Sequence, residues 1–153
     1  MGRGEMSQTR LRAWLAAGIW TLAGAVFFLT FFSKGGPSEL DTDSMRHLTG
    51  AVALGFGFVG YWLALWFTRQ RKGAPQVSDE RDVQIVAQAN QVTLIVALVG
   101  IYVFTISLWT VYEAEGQVPV GWMWFLAYGI VILASVTSAV VTLVLDGRTG
   151  GHG

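Results

Sequence analysis

The chain contains no cysteine. Disulfides, thiolate nucleophiles and cysteine-ligated iron–sulfur clusters are thereby excluded, and cysteine usage gives no clue to redox compartment. Charge is scarce as well. Asp, Glu, Lys and Arg make up 13% of the 153 residues, against about 25% in soluble domains. The ten basic and ten acidic side chains cancel, and no nucleic-acid partner is expected. Scarcest of all are ionisable groups inside the long apolar runs: no Asp, Glu, Lys, Arg or His lies well within any of them. Proton relays, ion pathways and voltage sensors depend on such groups at membrane depth. Their absence argues against proton-coupled transport, although a passive pore or a site built from backbone carbonyls stays open. Phosphate-binding glycine loops, zinc motifs and nucleophile–base pairs are also missing. A non-catalytic protein is expected, with no cofactor or metal of its own.

What is present is apolar. Hydrophobic residues form 53% of the chain, gathered in runs at about 11–32, 48–67, 92–112 and 122–145. Each is close to the ~20 residues that a helix needs to cross a ~30 Å hydrocarbon core. The expected fold is all-α, one integral membrane domain over 1–153, a four-helix bundle with antiparallel neighbours. The first run also has Ala23-Gly24-Ala25, which mimics a signal-peptide cleavage site. Cleavage there would leave VFFLTFF as an apolar new N-terminus, and a signal core is only about 7–15 residues long, so a true span is expected.

Breakers separate the runs: Gly35, Gly36 and Pro37, then Gly73 and Pro75, then Gly116 and Pro119. Ser44 is expected to cap the second helix and Ser78 the third. The tail from Asp146 is short and glycine-rich and is expected not to fold. Lys and Arg set the orientation. Arg3, Arg10, Arg12, Arg69, Arg71, Lys72, Arg81 and Arg148 flank one side, and only Lys34 and Arg46 the other. Both termini and the middle loop are therefore expected in the cytoplasm. Trp14, Trp62, Trp66, Trp109, Trp122 and Trp124 fall near span ends, as in an aromatic belt; Trp20 is deeper.

The most distinctive stretch precedes the third span. Asp79, Glu80 and Asp82 occupy a first helical turn, where acidic groups favour the positive end of the helix dipole. Arg81, Gln84, Gln88 and Gln91 follow at helical spacing as a polar stripe, with Val83, Val86 and Ala87 opposite. The lead-in 79–91 and the span form one helix extended into the cytoplasm, of about 51 Å at 1.5 Å per residue. Capping explains its acidic start; the glutamine stripe suggests a docking surface. Small residues recur every fourth position at Ala13, Ala17, Thr21 and Ala25, and at Ala134, Ser138 and Thr142. Gly55, Gly57 and Gly60 lie on more than one face of the second span, as if it met two neighbours.

Two further features have bland readings. His47, at the outer end of the second span, is a weak pigment-ligand candidate with Gly50 and Ala51 beside it, and more simply an interfacial histidine. Glu39, Asp41 and Asp43 form a solvated acidic loop without the spacing of a calcium loop.

Asp79-Glu80-Arg81-Asp82 before the third of four spans, after a basic turn, resembles a family of small prokaryotic four-span membrane proteins of unknown function. The resemblance covers about the middle third of the chain and implies prokaryotic origin and four spans, but no reaction; the expected location is the prokaryotic inner (cytoplasmic) membrane. The expected role is an accessory or scaffolding subunit of a larger membrane complex, in the lipid bilayer with other membrane subunits. The alternatives are a sensor or regulator recruiting a cytoplasmic protein on 78–91, and a small transporter or pore. Pigment or quinone contact within a complex is a special case of the first.

Overall fold

The computed structural model describes residues 8–33, 35–68 and 80–149. The protein is all-helical: α1 (Gln8–Phe32), a short 3-10 turn (Pro37–Thr42), α2 (Ser44–Phe67), α3 (Glu80–Tyr112) and α4 (Val120–Thr149). All four α-helices are long and apolar enough to cross a membrane. They run antiparallel in turn, so the starts of α1 and α3 share one end of the bundle with the finishes of α2 and α4. This is called the terminal end here, and the opposite end the loop end.

α1 and α4 pack against each other at the centre, with α2 laid on α1 and α3 on α4. α2 and α3 barely meet. The seam face of α1 carries Ala13, Ala16, Trp20, Ala23, Phe27 and Phe31, recurring at three and four residues. This differs from the expected stripe, since Thr21 and Ala25 face outward. The α1–α4 approach is close: a Cβ on Gly24 would lie 2.9 Å from Ile132 Cγ2. Trp20 is 2% exposed, so the one tryptophan away from the span ends is a core residue.

The boundaries shift from expectation where polar groups close a helix end. Asp43, not Ser44, caps α2; its carboxylate accepts from the Met45 and Arg46 amides at 3.1 and 3.2 Å. The charged carboxylate satisfies two of the orphan N–H groups that every helix start exposes. α4 continues past Leu145 through Asp146–Thr149, so the first residues of the tail are helical. Arg81 donates from Nη2 to the Asp146 carbonyl at 3.2 Å, holding the last turns in place. α3 ends at Tyr112, and the turn after it closes at Gly116, whose φ is +68° and whose amide donates to the Tyr112 carbonyl at 3.1 Å.

Candidate functional site

The two halves of the bundle are built from different residues. At the loop end, Phe27 and Phe31 are 0% exposed. Phe125 stacks on Phe27 with ring centroids 5.5 Å apart, and Tyr128 meets Phe27 edge-on at 5.9 Å. Phe104 of α3 also stacks on Phe125, with centroids 5.6 Å apart. These rings pack together between α1, α3 and α4.

Polar groups close this end. Arg46, on the first turn of α2, is only 7% exposed. Its guanidinium donates to the carbonyls of Thr30 at 3.2 Å, Phe31 at 2.6 Å and Gly36 at 3.2 Å. The last carbonyls of α1 thus meet a cation at the negative end of the helix dipole. Trp122 Nε1 donates to Tyr112 Oη at 2.8 Å and to Ser38 Oγ at 3.1 Å, tying the ends of α3 and α4 to the 3-10 turn.

At the terminal end arginine has the same task twice more. Arg12, early in α1, donates from Nε to Thr68 Oγ1 and from Nη2 to the Thr68 carbonyl, both at 3.0 Å. α1 and α2 therefore cap each other: Arg12 closes the finish of α2 and Arg46 that of α1. Arg81 does this for α4 and also approaches Asp146 Oδ1 at 3.5 Å. Arg10 lies 3.8 Å from the other oxygen of that carboxylate, and Thr9 donates to Asp82 Oδ2 at 3.1 Å.

Between this polar rim and the aromatic half lies a half-open cavity of about 500 Å³ to which all four helices contribute. Arg12, Tyr61 and Asn90 line it, with Ser135 and Ser138 of α4 and Trp20 at its inner end. Trp20 is met there edge-on by Phe58 at 5.2 Å. The void follows from side-chain size. Where the loop half has Phe27 and Phe31 facing Phe125 and Tyr128, the terminal half has Ala13 and Ala16 facing Ser135, Ser138 and Ala139. Small residues usually let helices close up. Here the bulk of Trp20 and of the aromatic half stands between the helices, and Ala134, Ser138 and the buried Thr142 line the cavity.

The residues singled out in the sequence are dispersed. Asp79 lies outside the described residues, as do Ser78, Arg69, Arg71 and Lys72. Glu80 is exposed at the start of α3. Arg81 and Asp82 turn inward to the contacts given above, so α3 begins level with the start of α1. Gln84, Gln88 and Gln91 are exposed along the flank of α3. The packed face of the lead-in is Ile85 and Ala89, not Val83, Val86 and Ala87. Val86 lines the cavity instead. Of the α2 glycines, Gly57 and Gly60 face α1: a Cβ on Gly57 would lie 2.8 Å from Trp20 Cζ3, and one on Gly60 3.4 Å from Ile19 Cγ2. Gly55 faces outward into open space. His47 is half-buried with its ring edge-on to Trp124 at 5.8 Å. The room expected beside it at Gly50 is occupied by Phe31, whose Cε2 lies 3.1 Å from where a Cβ would stand.

Sequence reasoning missed the cavity and the capping arginines. Arg12 and Arg46 each stand near the start of a helix whose antiparallel neighbour ends beside them, which is the signal that would have found them. The cavity had no local signal, because it depends on small residues of two helices meeting at one depth. Comparison of the chain with protein-family models, with curated proteins and with solved structures finds no match.

Proposed function

We propose that this chain is a non-catalytic accessory or scaffolding subunit of a prokaryotic inner-membrane complex, with both termini in the cytoplasm. The carrying observation is the amide stripe on α3. From Asp82 to Tyr112, the two polar ends of the bundle are about 45 Å apart at 1.5 Å per residue. That matches the ~40–45 Å of a bilayer with its headgroups. Gln88 lies about 9 Å inward from Asp82. Because Asp82 is bonded to Thr9 and Arg81 to Asp146, this depth corresponds to Leu15 on α1 and Val140 on α4. Both are exposed apolar side chains. At a level where its neighbours suit lipid, α3 presents exposed amides. Amides facing hydrocarbon without partners are costly, and a second membrane subunit with hydrogen-bonding groups satisfies them. Gly55, open on the outer face of α2, offers a further close approach.

Recruitment of a cytoplasmic protein on 78–91 is the second reading, favoured by exposed Glu80 and Gln84 at the rim of α3. A small pore is opposed by the filled aromatic half. The resemblance of Asp79-Glu80-Arg81-Asp82 supports prokaryotic origin, and the excess of Lys and Arg at the terminal end supports its cytoplasmic orientation.

A photo-crosslinking amino acid at position 88 or 91, activated in native membranes, tests the proposal. The expected result is an adduct to another membrane polypeptide from both positions. Adducts only to a soluble protein favour the second reading, and the absence of any protein adduct contradicts both.

A further inference from the structure

We propose that the cavity between the four helices binds an acidic amphiphile, with its anionic head on Arg12 and its apolar body against Trp20 and Phe58. The volume of about 500 Å³ lies within the ~300–1,000 Å³ of small-molecule sites. The walls change character along its length. Arg12 and Thr9 stand at the terminal end, Asn90 and Ser138 lie further in, and Trp20, Phe58 and Tyr61 form the inner end. Arg12 and Trp20 are eight positions apart on α1, about 12 Å of helix.

The head must be anionic. Arg12 is the one charged side chain among the described residues that line the cavity. Its guanidinium donates to the neutral Thr68 hydroxyl and carbonyl, so its charge is met by dipoles and not by a carboxylate. A guanidinium presents five donors suited to phosphate or carboxylate oxygens. The body must be apolar, because an inorganic anion would leave the aromatic end wet, while a purely apolar guest would strand the amide and hydroxyls without partners. The gap between α2 and α3, which barely meet, is the lateral way in. A single-chain lipid of the bilayer and a water-soluble organic phosphate or carboxylate share this chemistry.

The test uses the full chain in uncharged maltoside micelles, with binding measured by native mass spectrometry and by the thermal unfolding midpoint. The probes are dodecyl phosphate, dodecanol, butyl phosphate and inorganic phosphate. One equivalent of dodecyl phosphate is expected to bind, with dodecanol at least about tenfold weaker, the lower bound for a charge-assisted hydrogen bond. Inorganic phosphate is expected to give neither adduct nor shift. Equal binding of butyl and dodecyl phosphate assigns the site to a water-soluble ligand; binding of dodecyl phosphate alone assigns it to a membrane lipid. Arg12→Gln is expected to abolish the preference for the charged head. Because Arg12 also caps α2, Ser138→Trp and Ser135→Leu, which fill the cavity from α4, are run beside it and are expected to abolish binding. Equal affinity for dodecanol and dodecyl phosphate, or undiminished binding in both filled variants, overturns the proposal.

Discussion

The loop half and the terminal half of this bundle use the same four helices and reach opposite interiors. In the loop half the inward faces of α1 and α4 carry Phe27, Phe31, Phe125 and Tyr128, whose rings pack together. In the terminal half the same faces carry alanine and serine, and a cavity remains. Within a membrane the hydrophobic effect does not distinguish these outcomes, since lipid is as apolar as leucine; packing contacts do. The dense half is therefore expected to supply most of the stability. The hollow half is held at its rim by arginines on helix ends, and is the part able to admit a guest.

The largest effect is expected from breaking the dense half. Phe27→Ala removes a ring that touches Phe31, Phe125 and Tyr128. It should cost about 3 kcal/mol, the lower range for Phe→Ala in a close-packed core, measured as the free energy of unfolding in mixed micelles. A cost below that of Ser138→Ala would erase the contrast. Arg46→Met comes next. It keeps the stem but leaves the carbonyls of Thr30, Phe31 and Gly36 without their donor. A loss of about 2 kcal/mol is expected from hydrogen bonds to a charged group, accompanied by faster amide exchange at the end of α1.

Gly57 and Gly55 sharpen the comparison between the two faces of α2. Gly57→Val drives a side chain into Trp20 and should cost about 1–3 kcal/mol by overpacking. Gly55→Val meets nothing and should stay within about 0.5 kcal/mol in micelles, while weakening any partner seated on that face. The smallest effect is expected at the terminal rim. Asp146→Asn weakens its approach to Arg10 and Arg81 but leaves the carbonyl cap of α4, and should cost under about 1 kcal/mol. Raising salt should change the wild type little.

Much of the fold was legible in the chain. Four apolar runs bounded by glycine and proline gave four helices, and each limit fell within a few residues wherever no polar cap intervened. The limits missed were those set by side chains from elsewhere: Arg81 prolongs α4, and Asp43 starts α2 one residue before Ser44. The polar stripe at Gln84, Gln88 and Gln91 was visible from its period. That Arg81 and Asp82 leave that stripe and turn to α4 and α1 was not, because only the antiparallel register brings Asp146 and Thr9 within reach. The small-residue stripes were visible too, yet their outcome was hidden. A small side chain permits contact or leaves a hole according to what holds the backbones apart, and here Trp20 and the phenylalanines do so from a distance along the helix.

The absence of native cysteine makes one measurement especially direct. Single cysteines at position 138, in the cavity wall, and at position 23, in the α1–α4 seam, are labelled in membranes with a small water-soluble maleimide. Ser138→Cys should react readily, because water reaching the hollow half supports the thiolate, and Ala23→Cys should stay unlabelled until the protein unfolds. Equal rates at the two positions, or a reactive position 23 beside a silent position 138, would contradict a bundle that is dense at its loop end and hollow at its terminal end.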